Sequence, residues 1–302
     1  PDPRAVSPAR LPAAGSRGVS AAGLTPALCQ EAMDGVGSGV AMSLRAVDCA
    51  AAATSQAAFG RLFATDGALL PALTILLTLY VAFFAFGLIT GRSTLGISAL
   101  TPRMVTLGLV LTFATSWAAY QGTMYNLVVG APNQIANILT GTEGSATTVF
   151  ADKIDVVFAA LIDASGDEAM EGATSTFSPP GLLWLGGTLL LLGTVGLLAT
   201  CKIALAILMA LGPIFVVLAL FNGTRGLFTG WLKGVVLLAI TPLFAVLGGS
   251  LMLELAVPVL RALTMVPGEI EPRAAMAFFM IGAVHMALMI MVLKVAGTMV
   301  AG

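Results

Sequence analysis

The sequence predicts an all-α polytopic membrane protein with about five transmembrane helices. Three observations carry this. Of 302 residues only 29 are charged, 14 basic and 15 acidic, which is 10% against the roughly 25% of an ordinary soluble domain. Apolar residues make up 58%. The charges gather between long runs that contain none, the pattern of bilayer-crossing segments. The net charge of −1 argues against a module that grips nucleic acid by neutralising phosphate, so no stable nucleic-acid site is expected.

Chemically active side chains are scarce. The single histidine, His285, excludes a two-histidine metal site such as H-E-x-x-H. The three cysteines, Cys29, Cys49 and Cys201, have no C-x-x-C spacing. None of the four lysines follows a glycine, so there is no G-K-[ST] phosphate loop. No enzyme activity, cofactor or metal is expected. An ATP-driven engine, if one acts here, belongs to a partner.

Residues 1–20 are rich in Pro, Ala, Ser, Gly and Arg and have no periodic apolar face, so they are expected to be a flexible lead-in. This stretch has no apolar core of a secretory signal. The chain begins with Pro, which leaves open whether a segment upstream is missing. Residues 21–68 mix small apolar and polar residues on amphipathic helices and are expected to form an extracytoplasmic helical region.

Residues 69–129 hold the first two spans. One is the uncharged run Gly67–Gly91. The other starts at Met104 and turns polar after Gln121, and a loop with Arg92 and Arg103 lies between them. About 20 residues suffice to cross a hydrocarbon core of about 30 Å.

Residues 130–180 form an acidic loop with seven acids and one lysine, a net of −6. Within it Phe150, Ile154, Val157, Phe158 and Leu161 recur at helical spacing, which predicts an amphipathic helix lying on the membrane or against a partner.

Residues 181–302 form the C-terminal transmembrane region, with apolar runs over 181–221, 234–253 and 274–293. The tract 181–221 permits two spans meeting at Lys202 or one helix broken at Gly212–Pro213. Nothing around Lys202 favours a turn, whereas Gly-Pro is a strong breaker. Charge bias supports five spans with the N-terminus outside: Arg92, Arg103, Arg225, Lys233 and Lys294 then fall inside. Six spans is the alternative and puts the last three outside. With five, residues 203–221 must bend back into the membrane or be buried in an assembly.

The segment CKIALAILMALGPIFVVLALFNGTRGLFTGWLKG (201–234) is similar to the signature of the TrbL-type polytopic inner-membrane subunit of bacterial type IV secretion and conjugation systems. Its marks are Lys202, Gly212–Pro213, Phe215, Phe221, Thr224–Arg225, Phe228 and Trp231. The stretches at 78–92 and 107–121 resemble that family's first two spans. The resemblance covers roughly 69–296. It implies a bacterial inner-membrane, multi-pass, non-enzymatic channel or assembly subunit that supports translocation of DNA or protein and pilus biogenesis. The implied partners are other inner-membrane secretion subunits, pilus subunits and cytoplasmic ATPases. The implied topology, with a periplasmic N-terminus, a central periplasmic loop and about five spans, agrees with the charge bias.

Several residues stand out beside this reading. Lys202, Glu254 and His285 are ionisable groups at membrane depth. They are expected to snorkel or pack, and their rival use is an ion or substrate path in a secondary transporter. No internal repeat is visible, which weakens that rival. Gly248-Gly249-Ser250 with a distant His285 is too little for an intramembrane serine protease.

Gly212, Pro213, Arg225, Gly226, Gly230, Trp231 and Gly234 are expected to form an assembly contact. Glycines four apart let helices approach closely in lipid, and the pair Gly87 and Gly91 has the same spacing. Arg225 suits a partner carboxylate or a phospholipid phosphate, and Trp117, Trp184 and Trp231 suit membrane interfaces. The protein is expected to work as a homo-oligomer. With an outside N-terminus, Cys29 and Cys49 lie in an oxidising compartment and are expected to form a disulfide across a turn at Gly35–Gly39. Two buried thiols are the alternative, and Cys201 is expected to stay free.

Overall fold

The computed structural model describes residues 26–63, 67–91, 104–105, 107–108, 110–113, 116–141, 145–172, 177–263 and 270–301. The lead-in 1–20, the Arg92–Arg103 loop and the C-terminal Gly302 lie outside the described residues. Among those described, every regular element is a helix.

The elements are α1 (Pro26–Asp34), α2 (Val40–Phe63), α3 (Leu70–Ile89), α4 (Trp117–Tyr120), a π-helical segment Gln121–Gly130, α5 (Ala131–Thr140) and α6 (Ala146–Gly172). The C-terminal region follows as α7 (Pro179–Leu191), a π-helical turn Leu192–Gly196, α8 (Leu197–Leu218), α9 (Arg225–Leu263) and α10 (Pro272–Ala301). Among the described residues, four helices are long and apolar enough to cross a membrane: Leu70–Ile89, Pro179–Leu218, Arg225–Leu263 and Pro272–Ala301. The run from Met104, expected to be the second span, is helical at its described positions 104–105, 107–108 and 110–113.

The tract 179–218 settles the question posed by its sequence. Helix α7 passes through the π-turn into α8 as one unit of 40 residues, about 60 Å long. The chain does not reverse at Lys202, as the six-span alternative requires. It is not broken at Gly212–Pro213, and residues 203–218 do not bend back. Helix α8 instead ends at Leu218, before the turn at Asn222–Gly223.

Pro213 is tolerated because the carbonyl it deprives has another donor. A proline in a helix cannot give its N–H to the carbonyl four residues earlier. That carbonyl belongs to Met209, and the Tyr120 hydroxyl donates to it at 2.8 Å. Neighbouring groups rescue proline in transmembrane helices in just this way. Gly212 makes room for the rescue: a Cβ there would lie 2.7 Å from Tyr120 Cζ and 3.0 Å from Trp231 Cζ2.

Helices α7–α8, α9 and α10 pack together as a bundle. Helices α7 and α10 approach backbone to backbone, since a Cβ on Gly282 would lie 3.0 Å from Gly186 Cα. The polar helices then dress this bundle. Helix α6 carries the predicted apolar stripe, and Phe150, Ile154, Val157 and Leu161 are all buried. The stripe is covered by the chain's own helices. Phe150 seats on Gly249, where a Cβ would meet its Cε2 at 2.9 Å, and Leu161 Cδ1 would lie 3.2 Å from one on Gly187. The helix is therefore a wall of the bundle, and neither the membrane surface nor another protein is needed to cover its stripe.

Helix α2 packs on the bundle as well. It lies along α8, where Ser55 Oγ donates to the Ala206 carbonyl at 3.1 Å. Its N-terminus is capped from a distance: Asp155 accepts from the N–H groups of Val40 at 2.6 Å and Ala41 at 3.0 Å. A carboxylate at a helix N-terminus satisfies orphan donors and complements the helix dipole. Helices α1 and α2 form a hairpin closed by the Cys29–Cys49 disulfide, with a Cα–Cα distance of 5.5 Å. Cys201 is a buried free thiol.

Candidate functional site

Among the described residues, two clusters of buried apolar side chains form the main cores. One is built on α6, α7, the C-terminal half of α9 and α10, around Phe150, Ile154, Leu183, Leu253 and Phe278. The other is built on α8 and the start of α9, around Leu205, Val216, Trp231 and Val235. Between them lies a partly open cavity of about 650 Å³, bounded by α2, the Gln121–Gly130 π-segment, α5, α6, α8 and α9.

This cavity gathers polar groups against an apolar back wall. Lys202 on α8 reaches it and donates from Nζ to Asp48 Oδ2 at 2.6 Å. The lysine side chain is 16% exposed and the aspartate 34%. Lys202 is thus paired with an acid on another helix, where the sequence favoured snorkelling without a partner. Arg45 and Asp152 also line the cavity, both exposed. Leu205, Leu243 and Val246 supply its apolar wall. Pro242 lines it too and has no N–H to give the carbonyl of Leu238, another lining residue.

The three ionisable residues singled out at membrane depth are not brought together. Lys202 faces Asp48, and Glu254 is exposed on α9. His285 is 1% exposed, and neither ring nitrogen has a hydrogen-bond partner among the described residues. It packs against the π-turn, where a Cβ on Gly193 would lie 3.0 Å from its Cδ2. Ser250 donates its hydroxyl to the Leu247 carbonyl at 3.0 Å, so it is not engaged with His285. No group of three or more His, Cys, Asp or Glu side chains suited to a metal occurs among the described residues.

The expected assembly segment divides in two. Gly212, Pro213, Trp231 and Gly234 face inward. The Trp231 indole donates to the Leu208 carbonyl at 2.8 Å and its ring stacks on Phe215 at 5.9 Å. It is 4% exposed and does not sit at an interface with lipid. A Cβ on Gly234 would meet Leu208 Cδ1 at 3.2 Å. Gly226 and Gly230 face outward with open space above them, beside exposed Arg225. Gly91, with φ +67°, follows the last residues of α3, a position that needs a left-handed backbone. Its spacing from Gly87 therefore reflects helix termination.

The inward half of this motif ties the sequence signature to a structural device of aromatic side chains locked around a proline-bearing helix. The family described as TrbL/VirB6 plasmid conjugal transfer protein matches residues 77–292. The chain belongs to the TrbL/VirB6 family. It is 24% identical over 190 residues to the type IV secretion system protein VirB6 of Bartonella henselae, a match covering 60% of this chain and 57% of that protein. It is 22% identical over 191 residues to VirB6 of Bartonella quintana, covering 61% and 57%. The match thus spans little more than half the length of these relatives. Family membership and the four apolar helices among the described residues make this TrbL/VirB6 chain a multi-pass membrane protein.

Sequence reasoning missed Asp48, Tyr120, Asp155 and Gly186. Asp48 and Asp155 carry no local signal, because their roles depend on which helices meet. Tyr120 had one indirect signal: a proline inside an apolar helix demands a donor from elsewhere.

Proposed function

We propose that this subunit acts as a channel and assembly component at the base of the secretion machine, supporting translocation of DNA or protein cargo and pilus biogenesis. It works without catalysis of its own, as a homo-oligomer in contact with other inner-membrane secretion subunits, pilus subunits and cytoplasmic ATPases. Its N-terminus and the acidic 130–180 region face the periplasm. The observation that carries this reading is the family match over 77–292. Its support in the fold is the outward Arg225–Gly226–Gly230 face, which no other part of the described chain covers. The separate surroundings of Lys202, Glu254 and His285 speak against a single ion path and hence against the transporter reading.

The test pairs native sizing in detergent with a secretion or mating assay. Gly230→Leu is expected to leave membrane insertion intact, block oligomer formation and abolish transfer. Arg225→Ala is expected to weaken association with partner subunits. Normal assembly with lost transfer in both variants would point to a direct transport role instead.

A further inference from the structure

We propose that the cavity between the two cores binds one glycerophospholipid with a primary-amine headgroup. Its phosphate sits at Arg45, its ammonium at Asp152, and the start of an acyl chain lies along Leu205, Leu243 and Val246.

The charges make the first argument. Four charged residues line the cavity: Arg45, Asp48, Asp152 and Lys202. Lys202 and Asp48 satisfy one another at 2.6 Å. Arg45 and Asp152 have no hydrogen-bond or ion-pair partner among the described residues. One unpaired cation and one unpaired anion complement a ligand that carries both signs. An anionic headgroup would meet Asp152 unfavourably, and a quaternary ammonium could not donate a hydrogen bond to it. Arginine presents a fork of donors matched to phosphate oxygens. Leu238 and Pro242 add apolar surface to the same wall.

Shape and access make the second. The volume of about 650 Å³ falls within the roughly 300–1,000 Å³ typical of small-molecule sites, which pair apolar walls with a few polar groups. Helix α5 lines the cavity through Pro132, Asn133 and Ala136. Its remaining face exposes Ile135, Ile138 and Leu139, with Ile138 80% exposed. An apolar outward face on a helix that lines the cavity suits contact with a bilayer. Depth makes the third argument. The acid-bearing helix α6 covers the bundle on one side of the cavity, and the aromatic-locked apolar helices lie on the other. The cavity therefore sits where headgroups meet hydrocarbon.

This inference rests on the membrane placement of the chain and not on its part in secretion. The assay uses isolated protein, so its failure leaves the transfer test standing, and the reverse. The purified full chain, stripped of lipid, is exposed to vesicles of phosphatidylethanolamine, phosphatidylglycerol and phosphatidylcholine in equal amounts. Retained lipid is then read by native mass spectrometry.

One phosphatidylethanolamine per chain is expected, favoured about tenfold over the other two. Arg45→Ala and Asp152→Asn are each expected to lower its retention about tenfold, the scale of one charge-assisted hydrogen bond. Arg45→Lys should retain most binding, and Leu243→Trp should abolish it by filling the cavity. Variants count only if they remain monodisperse and keep the Cys29–Cys49 disulfide; where they do not, Arg45→Gln replaces Arg45→Ala and Asp152→Ser replaces Asp152→Asn. No retained lipid, equal retention of all three lipids, or indifference to both charge substitutions would overturn the proposal. So would equal binding of chain-free glycerophosphoethanolamine, which would mark a site for soluble phosphate esters.

Discussion

At the residue scale, Pro213 and Tyr120 form one device although 93 positions separate them in the sequence. The proline withholds an N–H from Met209 and the tyrosine hydroxyl supplies the missing donor. Tyr120→Phe should therefore cost about 1–3 kcal/mol, the range for stranding a buried acceptor. In a Pro213→Ala background the alanine N–H serves Met209, so the same tyrosine substitution should cost far less. Thermal unfolding of the four proteins in detergent measures this cycle, and simple additivity would show that the two residues act independently. Lys202 and Asp48 invite a second cycle. Their side chains are only partly covered, at 16% and 34% exposure. Their coupling should be about 1 kcal/mol, near the top of the range for exposed pairs. A coupling of zero would make the contact incidental to stability.

At the element scale, periodicity was a good guide to which faces are buried and a poor one to what buries them. The stripe Phe150–Leu161 was legible because apolar residues at helical spacing must hide from water. Its cover, the glycine shelves of α7 and α9, was not legible because contact across helices leaves no local pattern. Likewise Gly212–Pro213 could be recognised as special, but its local breaking tendency was outweighed by Tyr120, supplied from a distant part of the chain. The glycines divide by the same logic. Gly226 and Gly230 have the spacing of a packing motif but face open space, whereas the tight internal crossing uses Gly186 and Gly282 on different helices. Gly282→Leu should therefore lower the melting temperature of the isolated subunit, because an overpacked crossing costs typically 1–3 kcal/mol. Gly230→Leu should leave that temperature unchanged while altering assembly. Equal destabilisation by both would remove the distinction between an inner and an outer glycine face.

At the scale of the whole molecule, length decides how the bundle meets the membrane. Helices of 40 and 39 residues run about 60 Å, roughly twice the hydrocarbon core. A large part of the bundle must therefore project from the bilayer, a conclusion hydropathy alone hides because the projecting part is equally apolar. Helix α6 indicates which part. It exposes Asp152, Lys153 and Asp163 while packing on Gly187 and Gly249, and such charges are costly in hydrocarbon. The end of the bundle near Gly187 and Gly249 should then stand outside. Helix α8 beyond Lys202 should lie in lipid, and the Asn222–Gly223 turn with Arg225 should reach the inside. Single cysteines placed at Asp163, Ile207 and Arg225 in a Cys201→Ser background, labelled in intact spheroplasts with a membrane-impermeant maleimide, test this order. Asp163 should label from outside, Ile207 from neither side, and Arg225 only after lysis. The pair Cys29 and Cys49 should resist alkylation without reductant in the same experiment, because a disulfide persists in the oxidising compartment. External labelling at Arg225 would invert the bundle. The acids of α6 would then face the cytoplasm, and the positive charges of Arg225, Lys233 and Lys294 would oppose the usual bias.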